Sequence, residues 1–196
     1  MSRTLIEPVE HEVLIKKSRF IARAAPAATE DAARAFLEQV GEADANHNCW
    51  AWRSDQAYRF DDDGEPSGTA GRPILQAIES QDMDRVVVVV TRYFGGIKLG
   101  TGGLARAYGG TAAECLRAAP AEPIVATCRL DCRAGFEAVD AIHQLLERHH
   151  ADKLDESYSS DGVCFELEIP THEVEAFSTA VRDATSGAAE ITCRDC

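Results

Sequence analysis

The chain is 196 residues long and carries 33 acidic against 20 basic side chains, a formal net charge of −13. With 45% hydrophobic and 27% charged residues it lies near soluble globular averages, which excludes collagen-like, low-complexity and disordered classes. The longest aliphatic run, 86–90, falls far short of the ~20 residues a bilayer needs, and the charged N-terminus lacks a signal-peptide apolar core; the expectation is a cytoplasmic protein with no membrane partner.

In chain order, 9–16 and 19–24 read as the strands of a hairpin. Thr29 caps a helix to about residue 40, with Ala32, Phe36, Leu37 and Val40 on one face. Residues 48–53 form a strand, 61–71 a turn-rich loop and 72–81 a short helix. The β-branched run 86–90 predicts a strand buried on both faces. A glycine-rich loop at 95–103 then leads into a helix at 104–118. Pro120 and Pro123 end that helix and start an extended connection. A domain boundary is placed there, giving domains 1–121 and 122–196.

The second domain predicts a strand at 124–133, then a helix with Phe136, Val139, Ile142, Leu145 and Leu146 on its apolar face. A hairpin follows, from 154–158 through a turn to Val163, Phe165, Leu167 and Ile169, which alternate at period two. Thr171 caps a second helix carrying Val174, Phe177 and Val181, and 188–194 is the last strand. The order β-α-β-β-α-β predicts a ferredoxin-like plait, so the whole chain is α+β.

Charge is unevenly spread. Residues 1–136 carry a net −3 and residues 137–196 a net −10. The acidic tail portion repels phosphate backbones, so a nucleic-acid or phosphate contact belongs to the first part. Seven cysteines in a cytoplasmic chain do not suggest a disulfide framework. Cys128 and Cys132, four residues apart on one strand, are ~13 Å apart and cannot chelate together. In a plait the first and last strands are neighbours, so Cys128 can approach Cys193 or Cys196 as a metal or redox pair, or all three can be idle thiols.

Three segments carry candidate chemistry. Gly95, Gly96, Gly100, Gly102 and Gly103 precede a helix, and Arg92, Lys98 and Arg106 flank them with no acid between Arg85 and Glu114. Glycines before a helix N-terminus can aim several N–H groups at one anion; the alternative is a tight packing loop. Neither a Walker A loop nor a dinucleotide fingerprint fits. The loop 61–73, with Asp63, Glu65, Ser67, Thr69 and Arg72, has residue types suited to a metal or phosphate but fails the calcium-loop pattern. Ser67 or Thr69 can cap the helix after it. His47 and Cys49 share one face of a strand, suiting a nucleophile–base pair or, equally, a packed core element. Lys17 and Arg19 add a short basic patch that can also serve to blunt an edge strand.

Together, Lys17-Ser18-Arg19-Phe20-Ile21, His47-x-Cys49-Trp50-Ala51, the run from Asp62 to Gly71 and the run from Thr91 to Leu104 resemble the YigZ/IMPACT family. The resemblance implies a first domain similar to the second domain of a ribosomal small-subunit protein and a plait similar to the last domain of elongation factor G. Eukaryotic relatives curb a starvation-sensing kinase through an additional N-terminal domain and so sustain translation initiation. This chain begins at the shared core, so kinase regulation is not expected of it.

The expected function is a translation-associated binding or regulatory protein. Its glycine-rich basic face would contact phosphate, RNA or a protein partner, with Tyr93, Phe94 or Tyr108 available to stack on bases. The anion- or partner-binding set is Lys17, Arg19, Arg72, Arg92, Gly95, Gly96, Lys98, Gly100, Gly102, Gly103 and Arg106. His47, Cys49, Asp63, Glu65, Ser67 and Thr69 form a secondary set. No catalytic residue, cofactor or metal is assigned. The alternative is an enzyme acting on a nucleotide or phosphorylated small molecule, with Lys98 and Arg92 stabilising charge and Asp63 or Glu65 holding magnesium.

Overall fold

Five consecutive valines organise the first half of the molecule. In the computed structural model, which describes residues 2–195, the chain divides into two compact units, one running through Ile124 and one from Val125 onward. The first contains β1 (Arg3–Leu5), β2 (Val9–Ile15), β3 (Ser18–Pro26), α1 (Glu30–Val40), β4 (His47–Ser54), β5 (Ala57–Asp61), α2 (Gly71–Glu79), β6 (Val86–Tyr93), α3 (Thr101–Ala118) and β7 (Ala121–Pro123).

The main sheet has the order β2-β3-β6-β4-β5, with every pairing antiparallel. Successive strand side chains point to opposite faces. Val86, Val88 and Val90 therefore join a core with α2 and α3 through Ile74, Ile78, Tyr108 and Leu116. Val87 and Val89 join Trp50, Trp52 and Ala33 beneath α1. Helices on both faces explain why this central strand has no polar side.

Two short elements and one face differ from the sequence reading. β1 pairs with β7, so the segment read as a connection is itself a strand. β5 occupies a stretch to which the sequence reading assigns no element, apart from Asp61 at the start of the predicted loop; all five of its residues are exposed, so no burial alternation marks it. On α1 the residue turned inward is Ala33, while Ala32 is exposed and its amide donates to the Thr29 cap.

The second unit has β8 (Thr127–Ala134), α4 (Val139–Arg148), β9 (Asp152–Tyr158), β10 (Val163–Pro170), α5 (Val174–Ala184) and β11 (Glu190–Asp195). The strand order β11-β8-β10-β9 is that of a ferredoxin-like plait. Val163, Phe165, Leu167 and Ile169 all point inward, packing with Ile142, Phe177 and Val181. Short 3-10 turns precede both helices. They account for two departures: Phe136 is exposed and stacks on Tyr158 at 6.4 Å rather than entering the core, and Thr171 lies inside a turn without capping α5. Among the described residues, no helix is long and apolar enough to cross a membrane.

Candidate functional site

The site lies at one end of the main sheet of the first unit and begins with strand register. Phe20, Arg92 and His47 occupy one cross-strand row of β3, β6 and β4, and Ala22, Val90 and Cys49 the next. The row Phe20–Arg92–His47 faces the side covered by α2 and α3, where Phe20 meets Tyr108 of α3 edge-on at 5.2 Å. The loop joining β5 to α2 reaches the same place and delivers Glu65.

Glu65 is buried, and its Oε1 is the hub of the cluster. Arg92 Nη1 donates to it at 2.5 Å and the Tyr108 hydroxyl at 2.8 Å. His47 Nε2 stands 3.8 Å away. The opposite ring nitrogen, Nδ1, lies 2.6 Å from the Asp63 carbonyl, which only accepts, so Nδ1 carries the proton. Side chains from β4, β6 and α3 thus meet at one carboxylate.

The acidic loop is held by its own first residues. Asp62 Oδ1 accepts from the amides of Ala70 and Gly71 at 2.9 Å, and Oδ2 from Gly68 at 2.7 Å. Asp62 therefore supplies the acceptors at the start of α2, where an anion is favoured by the exposed amides and the helix dipole. Neither Ser67 nor Thr69 caps that helix; the Thr69 hydroxyl donates to the Pro66 carbonyl instead. Asp63 Oδ2 accepts the Asn48 amide. The carboxylates suggested for magnesium are thus engaged by protein groups, and among the described residues no group of three or more His, Cys, Asp or Glu side chains is placed to hold a metal ion.

Two suggested roles change. Cys49 is fully buried, its Sγ donates to the Asp62 carbonyl at 3.0 Å, and burial pushes its thiol far above the ordinary range, so it is a packed core element and not a thiolate nucleophile. Tyr108 is also fully buried, with its hydroxyl spent on Glu65, and cannot stack on an external base. Sequence reasoning missed Tyr108 as a partner of Glu65; the only local signal is an aromatic with a polar tip on the inward face of a helix.

The glycine-rich segment divides into a buttressed start and an open remainder. Lys16 and Lys17 both have positive φ and form the two-residue turn between β2 and β3. Gly95 lies flat against that turn: a Cβ there would stand 1.9 Å from the Lys17 carbonyl oxygen. Its amide donates to Ser18 Oγ at 3.1 Å, and the Phe94 amide to Asn46 Oδ1 at 2.7 Å. Beyond this, Gly96 and Gly100 have positive φ, Gly100 precedes α3, and no side chain caps that helix. Among the described residues, no acceptor meets the amides of Gly96 through Gly100.

The cations divide likewise. Arg92 is turned inward onto Glu65, and Arg19 chelates Glu12 through Nε and Nη2 at 2.8 and 2.9 Å. Lys17, Arg72, Lys98 and Arg106 are exposed and make no ion pair among the described residues. The Arg106 guanidinium lies beside Gly102, and Arg72 opens α2 next to Pro73, which backs onto Gly109 of α3.

In the second unit, β8 and β11 are neighbours and bring Cys128 Sγ to 3.2 Å from Cys193 Sγ. Cys132 is buried in the core on the same face of β8 as Cys128. Cys196 lies outside the described residues.

Comparison with known proteins places both units. The Impact N-terminal domain matches residues 16–116, and a domain of unknown function (DUF1949) matches residues 132–188. An IMPACT family member of Thermus thermophilus is 52% identical over 157 residues, covering 80% of this chain and 87% of that protein. The IMPACT family member YvyE of Bacillus subtilis is 37% identical over 193 residues, covering 96% and 88%. A crystal structure of a hypothetical protein superimposes with a TM-score of 0.79 at 32% identity, covering 99% of this chain and 97% of the other. With its glycine-rich and acidic segments inside the matched domain, the chain belongs to the IMPACT family.

Proposed function

We propose that this protein is a translation-associated binding protein that holds the phosphate backbone of RNA on the rim formed by Lys17, Lys98, Arg106 and the open amides before α3. One contrast carries the reading. In a chain of net charge −13, Arg23, Arg34, Arg53, Arg59 and Arg85 of this unit all face carboxylates. The rim cations, with Arg72 nearby, do not; Arg3, Lys16 and Arg117 are likewise without an ion pair among the described residues, and the rim differs from them in standing beside the open amides. Unneutralised cations beside an uncapped helix N-terminus are suited to an anion. Phe94 and Ile97, 46% and 41% exposed, give the same rim apolar surface for bases. The link to translation follows the eukaryotic members of the family.

The test is fluorescence anisotropy of a labelled single-stranded RNA across a salt series. Contacts to several phosphates make log K fall linearly with log salt, by about 0.7 per phosphate neutralised on a single strand. Charge reversal at Lys17, Lys98 and Arg106 together is expected to abolish binding, and each single reversal to flatten the slope by about one contact. Absent or salt-independent binding overturns the reading and leaves a protein partner as the occupant of this face.

A further inference from the structure

Arg92 is 5% exposed, yet it uses only part of its donor set. Nη1 donates to Glu65 Oε1, while among the described residues neither the buried Nε–H nor Nη2 has an acceptor. Nε and Nη2 form the side-on edge of a guanidinium, the edge that accommodates two oxygens of one oxyanion. Arg19 uses that same edge to chelate Glu12, and Arg34 to hold Glu30. A buried N–H without an acceptor is uncommon in native proteins and points to a missing partner.

The surroundings hold this edge in place. Glu65 tethers Nη1, Tyr108 tethers Glu65, and the guanidinium carbon lies 5.4 Å from the ring centre of Phe20 and 5.5 Å from that of Phe94. Phe20 is fully buried in the core; Phe94 is 46% exposed, a surface side chain on a backbone held by Asn46 and Ser18. The inner ring is a core wall and the outer ring is a side chain at the surface.

We infer that the Nε/Nη2 edge of Arg92 is a receptor for a carboxylate or phosphate group of a ligand, reached when Phe94 swings away. Because Glu65 already balances the arginine's charge, recognition there rests on directional N–H donors in a desolvated site and not on net charge. It therefore depends weakly on salt, unlike the exposed cation rim, and stands independently of RNA binding. Glu65 and Tyr108 act as positioning residues.

The experiment follows the arginine Nε–H resonances of the 15N-labelled full chain during titration with inorganic phosphate and, separately, acetate. The Arg92 signal is identified by its loss in Arg92→Lys. Saturable movement of that signal with either anion is expected, and which anion moves it says whether the ligand group is tetrahedral or planar. Phe94→Ala, at an exposed position, removes the cover and is expected to tighten the apparent Kd by about fivefold, because a closed cover taxes affinity by the open fraction. Lys98→Glu, which weakens the RNA rim, is expected to leave the Arg92 titration unchanged. An Arg92 signal that neither anion moves, in the parent chain and in Phe94→Ala alike, overturns the site. Movement that Lys98→Glu abolishes overturns it as well, by assigning the anion to the rim.

Discussion

Glu65 and Arg92, 27 residues apart in the chain, meet at 2.5 Å with side chains only 4% and 6% exposed. A buried pair of this kind contributes little net stability as a pair, because desolvation offsets attraction, but losing one member strands the other charge. Arg92→Met or Glu65→Leu alone is expected to destabilise the first unit by about 3–5 kcal/mol, and the double substitution by much less. Urea unfolding followed by tryptophan fluorescence measures this directly, since Trp50 and Trp52, both in the first unit, are the only tryptophans. A double variant that loses the sum of the two single losses would mean that the pair is uncoupled.

Asp62 collects three backbone amides from Gly68, Ala70 and Gly71. Asp62→Ala leaves them without that acceptor at the start of α2 and is expected to destabilise the unit by about 2 kcal/mol, the scale of hydrogen bonds to a charged group. Asp62→Asn keeps one acceptor oxygen and should lose about half as much. Amide hydrogen exchange at 68, 70 and 71 should quicken in the same order, and exchange unchanged in Asp62→Ala would show that the carboxylate does not hold the loop.

Two glycines of one loop should respond unequally to alanine. At Gly95 the added carbon meets the Lys17 carbonyl at 1.9 Å, backbone against backbone, so Gly95→Ala must separate the loop from the β2–β3 turn. A loss of about 3 kcal/mol or more is expected, as for severe overpacking. At Gly100 space is open and only the backbone conformation opposes a side chain, φ 74° with ψ 164°, a region essentially confined to glycine, so Gly100→Ala should cost about 1–3 kcal/mol. Equal unfolding midpoints for the two variants would contradict this.

Tyr93 offers a pH readout. Its hydroxyl donates to Glu42 and, at 3.2 Å, to Asp44, and the Glu42 hydrogen bond pushes its pKa up to about 12. A tyrosine whose folded pKa exceeds the unfolded value of about 10 stabilises the fold below about pH 10 and loses that contribution as pH rises towards 12. The stability gap between the parent chain and Tyr93→Phe should therefore shrink from pH 9 to about pH 11.5. A gap that stays constant or widens across that range would show the hydroxyl to be unlinked to folding.

Much of this molecule is legible along the chain because its signals are local. The valine run has no polar alternate because both faces of β6 are covered, and the period-two pattern of 163–169 reports one covered face. The family motifs likewise gather at one end of the sheet. β5 escaped notice because an edge strand with every residue exposed has no buried face to impose a pattern. The two-residue Lys16-Lys17 turn was visible as charge but not as geometry, since neither residue is one that favours positive φ.

What belonged to the sequence alone was the inventory: glycines before a helix, cations without acidic neighbours, a histidine two residues from a cysteine. Tertiary structure decided which of these face water and which face one another. Arg92 and Lys98 look alike six residues apart, yet register places one in a buried row beside Phe20 and His47 and leaves the other on an open loop. The physical reason is that a charged side chain goes inward only where an opposite charge is already waiting, and Glu65 arrives there from a segment that shares no local pattern with β6.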